Sequence, residues 1–219
     1  MELGTWSLRE ACYIPPMKMI QRVPSTIALA AFTFGLLVQA SAAEPTAFEL
    51  IKEGNEYVGK QAKDKVVQIR SEKSVASLTP NIWWIVYYDS TATLKAVEVK
   101  FLAGKMAEVK RPFRLLEPVT GGDTPLDREK MKVDSDKAIQ TALKEPILDK
   151  IKVTATRLKL EKVGEGVLER GGVTAGVWKV TLWANKLRDP SRDADMGEVW
   201  VSAYDGKVVK TDLHINRLD

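Results

Sequence analysis

The stretch Gly197–Leu213, GEVWVSAYDGKVVKTDL, decides the reading of the fold. Val199 and Val201 alternate with Trp200 and Ser202, and a second alternating run follows Asp205-Gly206. An Asp-Gly pair between alternating runs is a strong short-range signal for a β-hairpin, because both residues tolerate the positive φ that such a turn needs. Working back from this hairpin, Val177–Trp183 places Trp178, Val180 and Leu182 on one face and Lys179, Thr181 and Trp183 on the other. Ile151–Glu161 reads as a further strand. Ahead of it, Asp134 or Ser135 caps a helix whose apolar stripe is Ala138, Ile139, Ala142 and Leu143, and Pro146 ends it. Gly164–Gly176 reads as a glycine-rich connection and Asn185–Gly197 as a polar loop.

An earlier stretch has the same order of parts. Thr46 and Glu49 have capping-box spacing, and Phe48, Ile51 and Val58 recur at helical spacing, so a helix is predicted over Ala47 to about Lys60. Strands follow at Val66–Glu72, Ile82–Tyr88, Leu94–Leu102 and Met106–Lys110. The strand IWWIVYY is apolar on both faces, and its β-branched and aromatic residues argue against a helix. Overlaying the halves sets Phe48 on Ile139, Val66 on Val153, Trp84 on Trp178 and Val99 on Val201. The fold class expected is therefore α+β, with two repeats of one helix packed on an antiparallel β-sheet of about four strands. The predicted divisions are 1–42 as leader and signal peptide, 43–116 as the first repeat, 117–133 as a linker with two prolines and a Gly-Gly pair, and 134–219 as the second repeat.

The leader reading rests on Lys18 and Arg22, an apolar run over Ile27–Val38, and the small residues Ala40-Ser41-Ala42. That order matches a secretory signal peptide, and the apolar run is shorter than the roughly 20 residues a spanning helix needs. It predicts a periplasmic or secreted protein with no stable membrane anchor after cleavage. Cleavage after Ala42 leaves about 177 residues, the size of one domain or two small ones. The single cysteine, Cys12, lies in the leader, so neither a disulfide nor a thiol nucleophile is expected in the mature chain. The formal net charge is +4, with lysines and acids interspersed, and a surplus of that size predicts no nucleic-acid partner.

Little in the chain suggests catalysis. His214 is the only histidine and follows the last strand, which suits neither a catalytic base nor zinc. Asp189, Asp193, Asp195 and Glu198 offer oxygen ligands, but they lack a full calcium-loop pattern, and Arg188 and Arg192 lie among them. Gly164, Gly166, Gly171, Gly172 and Gly176 stand between strands, outside the strand–loop–helix setting of phosphate-binding loops. No catalytic residue, cofactor or metal ligand set is expected. The more informative set is aromatic. Trp183, Trp200 and Tyr204, with Lys179, fall on the face opposite Val180, Val199 and Val201, while Trp83 and Tyr87 fall opposite Trp84 and Val86. If helices cover the aliphatic faces, these rings either form a partner surface or bury one another between repeats or under loops.

The Ala-rich helix DSDKAIQTALKEPIL, the strand VWKVTLW and the closing WVSAYDGKVVKTDL resemble a PepSY-type domain over about eighty residues. The tandem arrangement is similar to the PepSY-like group compared with β-lactamase inhibitory protein. The resemblance implies a secreted binding or inhibitory module that works without cofactors, with a protease or other hydrolase as target. The function expected is thus a non-catalytic exported module that recognises a protein or peptide through an aromatic sheet face formed by Trp83, Tyr87, Lys179, Trp183, Trp200 and Tyr204. The alternative is a module for a small apolar ligand held between helix and sheet.

Overall fold

A computed structural model describes residues 44–111, 125–163 and 175–219. The leader reading at 1–42, the start of the linker and Gly164–Gly172 lie outside the described residues. In chain order the elements are α1 (Ala47–Gly54), β1 (Val66–Ser71), β2 (Ile82–Tyr88), β3 (Ala96–Leu102), β4 (Lys105–Lys110), α2 (Ser135–Ala142), β5 (Val153–Val163), β6 (Ala175–Asn185), β7 (Asp193–Ser202) and β8 (Val208–Leu213). Short 3-10 turns occupy Pro146–Leu148 and Ile215–Leu218.

All eight strands form one antiparallel sheet, in the order β4-β3-β2-β1-β5-β6-β7-β8. The expectation of two repeats, each a helix on its own sheet of about four strands, is therefore corrected. The joint is β1 against β5, where Gln68, Ile69 and Arg70 stand opposite Glu161, Leu160 and Lys159. An unpaired strand edge carries a row of open N–H and C=O groups, and joining the two inner edges satisfies both. It also carries the apolar face through the joint, since Ile69, Leu158 and Leu160 are all buried on the same side.

The helices are short, eight residues each, and neither covers a sheet of its own. Phe48 of α1 packs on Trp178 of β6, with ring centroids 6.2 Å apart, so the core is shared along the sheet. The capping box is present at Thr46 and Glu49, but the helix stops at Gly54, short of the expected Lys60. There it runs against Tyr87: a Cβ on Gly54 would lie 2.3 Å from the Tyr87 hydroxyl oxygen.

The described part of the expected linker is packed. The Leu126 N–H donates to the Val66 carbonyl, the Val133 N–H donates to the Ala203 carbonyl, and Leu126, Met131 and Val133 are buried. The expected polar loop Asn185–Gly197 is shorter than predicted, because β6 runs to Asn185 and β7 begins at Asp193. The strand pairs β3–β4 and β7–β8 turn at Ala103-Gly104 and around Gly206, where φ is positive. Among the described residues, no helix is long and apolar enough to cross a membrane.

Candidate functional site

The helices and the packed 125–133 segment lie on one face of the sheet. The other, hereafter the back face, carries the alternate residues of every strand. Antiparallel register lines these residues up across the sheet. Glu108 of β4 stands opposite Lys100 of β3, Lys100 opposite Trp84 of β2, and Trp84 opposite Arg70 of β1. The row continues through Lys159 of β5, Lys179 of β6, Trp200 of β7 and Lys210 of β8. One transverse row thus crosses the whole sheet, and apart from two indoles and a terminal carboxylate it is cationic.

The indoles lie under the cations. The Arg70 guanidinium is 4.8 Å from the centre of the Trp84 ring and the Lys100 ammonium 5.0 Å from it. Lys179 and Lys210 stand 4.4 and 4.9 Å from the centre of Trp200. Beside the row, Trp183 holds Lys73 at 5.0 Å and Arg157 at 5.4 Å. Each arrangement lies within the range at which a cation is drawn to a ring face. The aliphatic stems cover the rings and leave the charges outermost, so Trp200 is only 8% exposed.

Like charges directly opposite one another destabilise a sheet, yet Arg70, Lys159 and Lys179 are consecutive in the row. Two carboxylates partly neutralise them. Glu98, itself buried, holds Arg70 at 3.2 Å, and Glu161 holds Lys159 at 2.8 Å and Lys179 at 2.6 Å. Burial pushes the Glu161 carboxyl up, but the two lysines outweigh it and hold it below the ordinary glutamate value. The Arg70 Nε is buried with no acceptor. Around this centre the surface sinks into an open depression of about 560 Å³ lined by Arg70, Lys73, Trp84, Arg157, Lys159 and Lys179, with Glu198 at its wall.

The residues expected to form the partner face are only partly brought together here. Lys179 and Trp183 lie on the back face and are half-buried, and Trp200 lies there beneath two lysines. The placement of Trp83 and Tyr87 is corrected: both are buried on the helix side, 1% and 0% exposed. The Trp83 Nε1 donates to the Pro80 carbonyl at 2.9 Å and the Tyr87 hydroxyl to the Ile51 carbonyl at 3.1 Å. Burial, and then the Asp64 carboxylate, raise the Tyr87 hydroxyl above its ordinary value, so it stays a neutral donor. Tyr204 is likewise corrected; it packs against the main core near the β7–β8 turn.

Trp84 is the residue that sequence reasoning missed. The strand IWWIVYY has no polar face to orient it, but its neighbours do. Arg70 and Lys100 stand on either side of Trp84, whereas Ile85, next in the strand, stands between Ile69 and Val99. The overlay of Trp84 on Trp178 failed for the same reason, because Trp178 faces the core and donates to the Val133 carbonyl.

The acids that offer oxygen ligands in the sequence find separate partners. Asp189 accepts from Ser191, Asp193 pairs with Lys73, Asp195 accepts from the Gly197 N–H, and Glu198 accepts from Thr181 and Trp200. His214 stands 3.1 Å from Asp212 at the surface. Compared with known proteins, the chain matches no family model, no curated protein and no solved structure.

Proposed function

We propose that this chain is a non-catalytic binding or inhibitory module, exported to the periplasm or beyond, that recognises a protein or peptide through the back face of its sheet. The observation that carries the reading is the set of three indoles on that face, each held beneath two cations. Arginine side chains at the centre of a contact supply much of the energy of protein recognition, and here the rings beneath hold the cations in place for it. The surface is pre-organised where cross-strand register fixes Arg70 and Lys100 against Trp84 and Lys179 and Lys210 against Trp200.

The carboxylates of this face are already engaged, Glu98 by Arg70 and Glu161 by two lysines, which suits binding better than proton transfer. Export rests on the leader reading, and a hydrolase target rests on the PepSY resemblance. The interval between α1 and the sheet, where a small apolar ligand would have to lie, is occupied by Tyr87 and Phe101 against Gly54.

A photo-crosslinking residue at position 108, at the exposed β4 end of the row, tests the reading. In an envelope extract it is expected to join the purified protein to a discrete partner. That product is expected to disappear when Lys100 and Arg157 are replaced by glutamine, and to persist when the exposed helix-side Lys137 is replaced instead. A crosslink pattern identical in all three proteins would refute a back-face partner.

A further inference from the structure

Resting on that reading, we infer that the occupant of the back face is a carboxylate-rich, extended segment of a protein, laid across the strands along the row from Lys100 to Lys210. The row holds Lys100, Arg70, Lys159, Lys179 and Lys210 in consecutive register, interrupted only by Trp84 and Trp200. Six strand spacings give it a length of roughly 29 Å, which an extended peptide of roughly nine residues spans. In such a peptide alternate side chains point the same way, and every second residue falls about 6.6 Å further on. Acidic residues at alternate positions would therefore meet cations along most of the row.

Three features indicate that the row is incomplete without an anion. Among the described residues, Lys100, Lys210 and Arg157 have no carboxylate partner, although all three lie at or beside the row. Arg70, Lys159 and Lys179 are three consecutive cations, with the carboxylates of Glu98 and Glu161 standing among them. The depression at the middle of the row is lined by five cations, Arg70, Lys73, Arg157, Lys159 and Lys179, against two carboxylates, Glu72 and Glu198.

A single-stranded nucleic acid offers the same charge, but the rings argue against it. Base stacking needs an open aromatic face, and here cations stand over the indoles at 4.4–5.4 Å.

The test is fluorescence anisotropy with the full chain and a labelled ten-residue peptide of alternating Glu and Ala. Saturable binding is expected, weakened about tenfold between 0.05 and 0.3 M salt as the charges are screened. The double variant K100Q/K210Q is expected to weaken it about fivefold or more. If that variant melts differently from the parent, Arg157→Gln, at an exposed position, replaces it with a smaller loss in the same direction. A peptide of alternating Lys and Ala is expected not to bind.

Failure of the acidic peptide to bind, or unchanged affinity in the charge variants, overturns the inference, as does tighter binding of a ten-nucleotide oligothymidylate. If the position-108 crosslink to a protein persists while the acidic peptide fails, only the acidic occupant is refuted. If both fail, the back-face reading goes with it.

Discussion

The Asp134 carboxylate accepts a hydrogen bond from the Phe48 N–H at 3.1 Å, so the cap of α2 also caps α1. The adjoining Ser135 hydroxyl accepts from the Ala47 N–H at 3.1 Å. The N-terminal ends of both helices thus meet at one half-buried acid, which links residues 86 positions apart. Replacing Asp134 by alanine orphans donors on both helices and is expected to cost about 2 kcal/mol, near the upper end of cap substitutions. Ser135→Ala is expected to cost about 1 kcal/mol. Urea unfolding of the three proteins checks both.

The same acid sets a pH dependence. Burial raises the Asp134 carboxyl above its ordinary value, and the hydrogen bonds from Thr46, Ser135 and Phe48 pull the other way without cancelling it. The folded state therefore holds this proton more readily than the unfolded chain. Its contribution to stability is fully present below about pH 4, the ordinary aspartate value, and is lost as pH rises through the raised value. Asp134→Asn keeps an acceptor and is expected to flatten that part of the profile, read from unfolding midpoints between about pH 3 and 7.

Glu161 is expected to behave in the opposite sense. Lys159 and Lys179 hold its carboxyl below the ordinary value despite burial. Its contribution is present above about pH 4.3 and is lost as pH falls through the lowered value. Glu161→Gln leaves the two lysines opposed across β5 and β6 and is expected to destabilise by about 1–2 kcal/mol. Adding Lys179→Gln is expected to recover part of that loss, a coupling that a double-mutant cycle measures directly.

Adjacent tryptophans are expected to differ sharply. Trp83→Ala empties a core position that is 1% exposed, at a cost of about 3–5 kcal/mol. Trp84→Ala, on the half-exposed back face, is expected to cost about 1 kcal/mol or less in stability while removing the binding that Trp83→Phe leaves intact. Iodide quenching of Trp84, isolated by difference from the Trp84→Phe protein, is expected to exceed that of Trp83.

Gly54→Ala drives a methyl group into the Tyr87 hydroxyl and is expected to destabilise by about 1–3 kcal/mol. Tyr87→Phe in the same chain makes room. The Ile51 carbonyl keeps a donor in the Asn55 N–H, so the double variant is expected to be more stable than Gly54→Ala alone. Thermal melts of both proteins decide this.

Much of the strand pattern was legible because alternation marks it locally: Val97, Val99 and Phe101 against Glu98 and Lys100 need no partner to be read. The Asp205-Gly206 turn was legible for the same reason. The pairing of β1 with β5 was not, since nothing in Gln68–Arg70 names residues some ninety positions away as its neighbours. The face of IWWIVYY was undetermined within the strand itself and became fixed only by Arg70 and Lys100 on either side. That misplaced Trp83 and Tyr87 and hid Trp84. The early stop of α1 was equally hidden, because Gly54 meets Tyr87 only after folding.

The β1–β5 joint spans three residue pairs, where β5 and β6 share a ladder along nearly their whole length. It is the narrowest seam in the sheet, and the Arg70–Lys159 pair sits on it. Breathing of the molecule should begin there, with the ladder amides of Gln68–Arg70 and their partners trading hydrogen for deuterium ahead of those in β6 and β7. Any strand-crossing occupant would then bridge the weakest line of the protein, so that occupancy would register as mechanical closure of that seam.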